Sequence, residues 1–315
     1  MGTPFENYNH QAFGGTEYMA KGFIEKISKD LPKLADYQTY VIPGGVPEDI
    51  ATLFKGPQTI IWLHNTLDQF NVDVNNLFKS KKFQDNLKYL VVVSDYHKQI
   101  TIEQSGIDPD KIIVIQNAIE PIAFDANKFN NVDRVQVIHA SSPDRGMEVL
   151  LRAVSKMDID FDLNIFNAFN PDIDPVTPAM QEILDSDHRI TFYGKTPRRT
   201  VLKHFGKSHI HAYPTVWLET SCITQIEALA SGNYAVYSDF GSLKETSLGF
   251  GKMIPINEES LDAYAEDFAK ELTAAIEAVK SGSLEIDPVA QSKTVMDFFS
   301  WEKSKERWTE LHERL

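Results

Sequence analysis

Two glutamates, Glu219 and Glu227, stand eight positions apart in the stretch WLETSCITQIEALASGNYAVYSD. Glu219 precedes a segment of helical composition, and Glu227 lies about two turns into it. Thr220 and Ser221 are good helix caps, so their backbone N–H groups would make no bond within the helix itself and could bind a phosphate. Two carboxylates for hydroxyl groups, with a diphosphate between them, would form a receptor for a sugar nucleotide. A capping Glu219 and a solvated Glu227 would explain the same spacing, and spacing alone does not decide between these interpretations.

Composition restricts the class of protein and of partner. The chain has 315 residues, of which 42% are hydrophobic and 24% charged, as in ordinary soluble globular proteins. Without a long apolar run or a signal pattern in MGTPFENYNHQAFGG, we expect a cytoplasmic location. The single cysteine, Cys222, excludes an intramolecular disulfide framework. A net charge of −14 disfavours a nucleic-acid partner, so an anionic ligand must be bound by helix N-termini and a few cations.

Short apolar, β-branched runs alternate with segments of helical composition. The runs are almost continuously apolar, as in strands that are buried on both faces. They lie at 38–43, 59–64, 89–94, 112–117, 135–140, 162–167, 189–194, 209–214, 234–239 and 252–256. The clearest helical segments are 15–29, 74–88, 95–105, 146–157, 221–231 and 259–281. This alternation predicts an α/β protein with parallel sheets and crossover helices.

The stretch 117–134, which shows no clear periodicity, is predicted to link two domains. We expect doubly wound, Rossmann-like parallel sheets in both, the first over 1–120 and the second over 132–299. Residues 300–315 are predicted to form an amphipathic helix that packs back on the first domain. Ligands of such domains bind at the carboxyl ends of the strands, and here we expect a cleft between the two domains.

The order of motifs around the glutamates resembles that of a known family. Pro214 and Glu219 are followed by EALASG at 227–232, by the strand-like YAVYSD and by FGSLKE, which ends at Glu245. This series is similar to the E-x7-E region of retaining glycosyltransferases with the GT-B fold, especially glycosyltransferase family four. The resemblance implies a catalytic role for Glu219 and donor binding by Glu227 and by the amides of residues 220–222, including Cys222.

Other segments resemble the same family. FGGTEYMAKGF at 13–23 is similar to its glycine loop, which implies that Gly14 and Gly15 approach the donor phosphates. IIWLHN implies a catalytic His64 near the donor sugar. VIHASSPDRGMEVLLRAV implies that Arg145 pairs with the diphosphate. Base contacts are implied near Thr196.

Two departures from the family pattern are visible. No first strand is apparent before the glycine loop, and the Arg that often follows the strand at 135–140 is replaced by Ser141 and Ser142. The second cation for the phosphates would then come from elsewhere, with three candidates. They are Lys195, Arg198 and Arg199.

The resemblance implies a hexosyltransferase that moves a sugar from a UDP-, GDP- or ADP-sugar to an acceptor hydroxyl, with retention and without a metal or cofactor. No Asp-x-Asp motif occurs in a suitable loop; the DID sequences at 158–160 and 172–174 fall in predicted surface connections. The acceptor can be a glycan, a lipid or a small molecule. Two alternatives stay open, a nucleotide-sugar epimerase of the same fold and a catalytically degenerate binding protein. Four lysines within 79–88 favour a solvated helix face over peripheral membrane contact.

Overall fold

The computed structural model describes residues 3–6, 14–42, 58–70, 72–166, 176–257 and 259–315. By their contacts the residues divide into two compact units. The first unit comprises Met1–Ile119 and Phe299–Leu315, and the second unit comprises Glu120–Phe298. Of residues 1–13, in which the sequence shows no first strand, 1–2 and 7–13 lie outside the described residues.

The described part of the first unit contains a four-stranded parallel sheet in the order β1-β2-β3-β4. All five residues of the second strand, Thr-Ile-Ile-Trp-Leu, are buried, which explains its continuous apolar character. The strands are β1 (Gln38–Ile42), β2 (Thr59–Leu63), β3 (Leu87–Val92) and β4 (Ile112–Val114). The α-helices described before residue 119 are α1 (Gly15–Lys26), α2 (Val72–Lys79), α3 (Lys81–Asn86) and α4 (Asp95–Ser105).

The described residues of the second unit form a six-stranded parallel sheet in the order β10-β9-β8-β5-β6-β7. Its strands are β5 (Gln136–Ala140), β6 (Asp162–Phe166), β7 (Ile190–Gly194), β8 (Ile210–Tyr213), β9 (Tyr234–Ser238) and β10 (Lys252–Ile254). Its helices are α5 (Met147–Ser155), α6 (Pro178–Ser186), α7 (Arg198–Lys207), α8 (Ile223–Ala230), α9 (Leu243–Thr246), α10 (Leu261–Ser281) and α11 (Pro288–Phe299). Four apolar or aromatic residues recur every four positions along α10 and are fully buried in the hydrophobic core of the second unit. They are Tyr264, Phe268, Leu272 and Ile276.

The C-terminal helix α12 (Trp301–Glu313) completes the first unit. The ring of Trp308 lies 4.7 Å from that of Phe23 and 5.1 Å from that of Trp62. Gly22 of α1 lies so close to Trp301 that a β-carbon there would be 2.1 Å from the indole ring. Aromatic burial of this extent fixes α12 against α1 and β2.

Shortly after Glu120, where the second unit begins, the chain packs against the rest of that unit. The Lys128 ammonium donates hydrogen bonds to the backbone carbonyls of Ser208 and Ser231, at 2.6 and 2.8 Å, and to the side-chain oxygen of Asn233. Within the segment predicted to be a linker, Lys128 therefore anchors the chain to the C-terminal end of α8.

The α/β class and all ten predicted strands are confirmed, with ends that differ by one to three residues. Two helix predictions were wrong in detail. The helix expected over 74–88 is two helices, because the Ser80 hydroxyl accepts a hydrogen bond from the Phe83 amide and starts α3. The helix expected over 221–231 begins only at Ile223. Within the described part of the chain, no helix is long and apolar enough to cross a membrane.

Candidate active site at the carboxyl ends of β5 and β8

Two loops of the second unit leave neighbouring strands at the same edge of the sheet. Strands β5 and β8 pair in parallel through Val137 with Ile210 and Ile138 with His211. The loop 141–146 follows β5 and leads into α5, and the loop 214–222 follows β8 and leads into α8. Carboxyl ends of adjacent parallel strands are the usual ligand-binding edge of a doubly wound sheet.

Arg145 and Glu219 meet across these two loops. The Arg145 Nη1 atom donates to the Glu219 Oε1 atom at 3.1 Å, and the Tyr213 hydroxyl donates to the same oxygen at 2.8 Å. The guanidinium also lies 4.0 Å from the centre of the Trp217 ring, and its Nε atom is 3.2 Å from the Asp144 carboxylate. The structure thus brings together two of the residues predicted to be catalytic, over a separation of 74 positions.

Two glycines allow this approach. Gly146 has a φ of +91°, and a β-carbon there would lie 2.1 Å from the Pro214 carbonyl oxygen. Gly241 has a φ of +62°, and a β-carbon there would lie 2.4 Å from the backbone oxygen of Glu219. The amide of Ser242 donates to that same backbone oxygen at 2.8 Å. Gly241 therefore lets the backbone approach Glu219 directly, and Gly146 lets the loop after β5 approach the start of the loop that carries Glu219.

The cluster is largely shielded from water. The Arg145 side chain is 24% exposed and that of Glu219 is 11% exposed. Burial lowers the pKa of Arg145, but Glu219, Tyr213 and Asp144 raise it by more, so the guanidinium stays charged. Burial raises the pKa of Tyr213 well above its ordinary value, with smaller contributions from Cys222 and Glu219. Tyr213 is therefore a neutral hydrogen-bond donor at physiological pH.

The N-terminus of α8 lies next to this cluster in the chain. The helix runs from Ile223 to Ala230, and its N-cap residue is Cys222, whose side chain makes no capping hydrogen bond. The prediction that Thr220 and Ser221 cap the helix was therefore wrong, because the first turn begins two residues later. Burial and the charge of Glu219 raise the pKa of Cys222 to about 12, which makes it a packed thiol and not a nucleophile. The first-turn N–H groups of α8 have no partner within the helix.

Glu227 is buried inside α8, with 2% of its surface exposed. Its carboxylate forms an ion pair with Arg198, the first residue of α7. Burial raises the pKa of Glu227 to about 7, against the opposing effect of Arg198. A solvated Glu227 is excluded. Lys195, Arg198 and Arg199 were the candidates to replace the missing arginine. Among these three, the structure describes a contact with a predicted site residue for Arg198.

Thr196 lies in the turn between β7 and α7. Its hydroxyl donates to the backbone oxygens of Tyr193 and Gly194, both at 3.3 Å. These local bonds fix the turn next to the first residue of α7. No contact between Thr196 and the Arg145 cluster is described.

Three further predicted site residues lie in the first unit. His64 directly follows β2 and is buried, and burial together with the nearby His97 lowers its pKa to about 3. His97 accepts a bond from the Val93 amide through Nδ1 at 3.4 Å, and its Nε2 atom donates to the Asn65 backbone oxygen at 3.0 Å. The loop after β2 is thereby held in place.

Gly14 and Gly15 begin α1. Gly14 is the N-cap residue, with an extended backbone, and both glycines are exposed. A β-carbon on Gly14 would lie 2.6 Å from the Glu17 carboxylate. Glu17 therefore lies at the helix start, where a carboxylate is favoured by the helix dipole.

Sequence reasoning missed several residues that shape the site. Tyr213, Trp217 and Gly241 each contact Arg145 or Glu219, yet none stood out in the sequence. The only local signals were an aromatic residue at a strand end and a glycine shortly after another strand. Among the residues that the structure describes, no group of three or more His, Cys, Asp or Glu side chains could hold a metal ion, and the sequence DID at 172–174 lies outside them.

Two units, each with a parallel sheet and flanking helices, define the GT-B glycosyltransferase fold, and solved structures share it. A crystal structure of a glycosyltransferase from Rickettsia africae matches with a TM-score of 0.64 and 16% identity, covering 91% of this chain and 86% of that one. A crystal structure of Anabaena HepE in complex with UDP and glucose matches with a TM-score of 0.68 and 14% identity, covering 84% of this chain and 74% of that one.

One curated relative is a subunit of the human phosphatidylinositol N-acetylglucosaminyltransferase. It is 22% identical over 266 residues, which are 82% of this chain and 53% of the human protein. The chain thus spans about half the length of this relative. No family model matches the sequence.

Proposed function

We propose that this protein is a retaining glycosyltransferase that moves a sugar from a nucleoside diphosphate sugar to an acceptor hydroxyl. The observation that carries the proposal is the convergence of Arg145 and Tyr213 on Glu219 at the carboxyl ends of β5 and β8. This cluster directly precedes the start of α8 in the chain. A cation and a helix N-terminus can bind a diphosphate, and a carboxylate can accept hydrogen bonds from sugar hydroxyls.

Each group has a role in this proposal. Arg145 and the amides of residues 220–222 bind the diphosphate and stabilise the charge that develops on it as it leaves. In the structure two nitrogens of Arg145 already contact carboxylates, so binding the diphosphate requires the guanidinium to share or exchange these contacts. Glu219 binds hydroxyl groups of the sugar, and its nearness to Arg145 places the sugar beside the diphosphate.

The remaining predicted residues complete the donor site. Glu227, the second glutamate of the E-x7-E pattern, binds the ribose hydroxyls, which requires its buried carboxylate to share or exchange the contact with Arg198. The turn at Thr196 contacts the base. Gly14 and Gly15 supply backbone amides to the phosphates. His64, whose pKa is lowered to about 3, acts near the sugar as a neutral imidazole.

Retention follows if the acceptor attacks on the face from which the diphosphate leaves. The bond between the anomeric carbon and the phosphate oxygen breaks, and the acceptor oxygen forms the new bond on that same face. The departing phosphate oxygen takes the acceptor's proton, so no protein group has to serve as nucleophile or base. The charge is stabilised by Arg145 and by backbone amides, and the proposed reaction uses neither a metal nor a cofactor.

The structural neighbours and the human relative support a UDP-sugar as the first donor to test. HepE of Anabaena was crystallised with UDP and glucose, and the human relative is named for transfer of N-acetylglucosamine. The acceptor belongs to one of three classes, a glycan, a lipid or a small molecule. We also propose a cytoplasmic location, as expected from the sequence, and cell fractionation tests it.

Binding and product analysis test the proposal. UDP-glucose, UDP-N-acetylglucosamine, GDP-glucose and ADP-glucose are each titrated into the protein by calorimetry and by thermal shift, with and without EDTA. A donor at 100 times its dissociation constant should stabilise the fold by about 2.7 kcal/mol. EDTA should change neither binding nor turnover.

The donor that binds is then incubated without an acceptor and followed by proton NMR. Slow hydrolysis that first yields the sugar in the donor's own anomeric configuration supports a retaining transferase. An isomerised donor would indicate an epimerase, and binding without hydrolysis or transfer to any acceptor would indicate a degenerate binding protein. Absence of binding by all four compounds contradicts the proposal.

A further inference from the structure

We propose that Tyr213 is a positioning residue, which fixes one oxygen of the Glu219 carboxylate so that the other oxygen is presented to the donor sugar. This inference rests on the proposed function. Tyr213 is the last residue of β8 and is 1% exposed. Its hydroxyl and the Arg145 guanidinium both donate to the Oε1 atom of Glu219, at 2.8 and 3.1 Å. The described residues make no bond to Oε2.

Two donors on one oxygen determine the orientation of the carboxylate. A carboxylate held by a single partner can rotate about its last side-chain bond. Two converging donors, one from the end of β8 and one from the loop after β5, select one rotation. Because Arg145 must also bind the diphosphate, its bond to Glu219 is shared with the ligand. The phenol has no such competing task, so it alone can hold Oε1 throughout the reaction.

The phenol ring is itself held rigidly. It stacks against His211 at a centroid distance of 5.4 Å and against His139 at 5.8 Å, with interplanar angles of 23° and 25°. All three rings are almost completely buried. Stacked aromatic rings in a packed sheet leave the hydroxyl little freedom to move away from Glu219.

The two histidines keep one tautomer each, and both are neutral. His139 Nδ1 donates to the Ala212 backbone oxygen at 2.9 Å, and His211 Nδ1 donates to the side-chain oxygen of Gln225 at 2.8 Å. Burial lowers the pKa of His139 to about 4 and that of His211 to about 3. Gln225 belongs to α8 and donates to the Ser247 hydroxyl at 2.9 Å, so the stack is tied to the helix that carries Glu227.

The Ser141 hydroxyl lies 3.3 Å from the phenol oxygen. A phenol oxygen can donate one hydrogen bond and accept others. Since the carboxylate can only accept, the single phenol proton points to Glu219 and Ser141 donates to the phenol. With Ser141 as donor to the phenol oxygen, the hydroxyl proton of Tyr213 stays directed at the Glu219 carboxylate.

The test is Tyr213→Phe, which removes one oxygen and keeps the ring. The tested reaction is release of UDP from UDP-glucose or UDP-N-acetylglucosamine, and UDP binding is measured by calorimetry. We expect kcat to fall about tenfold, while KM and the dissociation constant of UDP change less than twofold. Tyr264→Phe is the matched control, because Tyr264 is a fully buried tyrosine of the same unit outside this site. It should leave kcat unchanged.

A double-variant cycle separates positioning from a general loss of packing. If Tyr213 acts through Glu219, adding Tyr213→Phe to Glu219→Gln should lower kcat by less than a further factor of two. If the double variant loses kcat by the product of the two single-variant factors, the two residues act independently and the inference is wrong. Melting temperatures of all variants identify any variant that loses kcat by unfolding, and the cycle still decides within those that stay folded.

Failure of the inference and failure of the proposed function have different signatures. If the protein releases UDP and Tyr213→Phe does so at the same rate, the positioning role is wrong and the proposed function stands. If kcat and KM change together, Tyr213 supports the fold or donor binding and does not position Glu219. If the unmodified protein binds none of UDP-glucose, UDP-N-acetylglucosamine, GDP-glucose and ADP-glucose, the proposed function and the role of Tyr213 both fail.

Discussion

Gly146 lies directly against the carbonyl group of Pro214, at the point where the loop after β5 meets the loop after β8. A β-carbon on Gly146 would be 2.1 Å from that carbonyl oxygen, and the residue has a φ of +91°. The contact places Arg145, the preceding residue, within hydrogen-bond distance of Glu219. Gly146 is therefore one of the two glycines that allow the cation and the carboxylate of the candidate site to meet.

Gly146→Ala should destabilise the second unit by about 2–4 kcal/mol, from the left-handed backbone and the clash with Pro214 together. Gly282→Ala is the matched control, because Gly282 also has a positive φ but no atom lies within 4 Å of its β-carbon position. Gly282→Ala should lower the free energy of unfolding by only about 1 kcal/mol. Urea unfolding of both variants measures the difference, and equal losses would show that the Pro214 contact is unimportant.

Arg145→Met should weaken UDP binding about 10- to 100-fold, because a charge-assisted hydrogen bond contributes about 1.5–3 kcal/mol. Arg314→Met serves as the control, since Arg314 is exposed at the end of α12 and its replacement removes the same charge. It should leave the dissociation constant within twofold. Calorimetry at two salt concentrations measures both variants, and similar losses in the two would mean that only net charge matters.

Glu219→Gln should reduce the rate of sugar transfer or donor hydrolysis about 100-fold, in the range seen when one group that stabilises the transition state is removed. UDP binding should change only a few-fold, because the carboxylate contacts the sugar and not the diphosphate. Steady-state kinetics with the donor identified by calorimetry provides the measurement. Full activity in this variant would show that the role given to Glu219 is wrong.

Glu227→Gln should remove a pH dependence of stability. Burial raises the pKa of Glu227 from 4.5 to about 7, so the folded state keeps a proton that the unfolded chain releases between these values. Stability of the unmodified protein therefore falls as pH rises from about 4.5 to about 7, by an amount of order 2–3 kcal/mol. Glutamine has no proton to lose, so the variant should lack this fall.

Urea unfolding at pH 5 and pH 7.5 measures the effect. Glu182→Gln, at an exposed position of α6, controls for the loss of one carboxylate and should keep the pH dependence of the unmodified protein. An equal decline with pH in Glu227→Gln would mean that Glu227 ionises normally in the folded state.

Lys128→Met should destabilise the second unit by about 2–4 kcal/mol, because the Ser208, Ser231 and Asn233 oxygens lose their common donor. Lys203→Met, at an exposed position of α7, removes the same charge without this loss and should cost less than about 0.5 kcal/mol. Denaturant unfolding compares the two. A near-neutral Lys128→Met would show that water replaces the ammonium group without cost.

Most elements were predictable because their signals are local. All ten strands appear in the sequence as apolar, β-branched runs, since a strand buried on both faces needs such side chains at every position. The break between α2 and α3 was missed because Ser80 is an ordinary polar residue in a helical pattern. It becomes a helix start only through its bond to the Phe83 amide.

The candidate site was predictable only in part. Glu219, Glu227 and Arg145 stood out through their motifs, which are compact in sequence. Tyr213 did not, because its role depends on a hydrogen bond to Glu219 and on a stack that includes His139 from another strand. Gly241 likewise contacts Glu219 only because β9 brings its loop beside the one after β8.

The sequence alone determined the α/β class, the strands and the residues whose types can bind a diphosphate sugar, because periodicity and motif spacing are properties of neighbouring positions. Only the tertiary structure decided that Arg145 donates to Glu219, that Glu227 is buried against Arg198, and where α8 begins. These outcomes depend on sheet order and on close backbone approach at Gly146 and Gly241. Contacts between positions far apart in the chain arise only when the whole sheet has assembled.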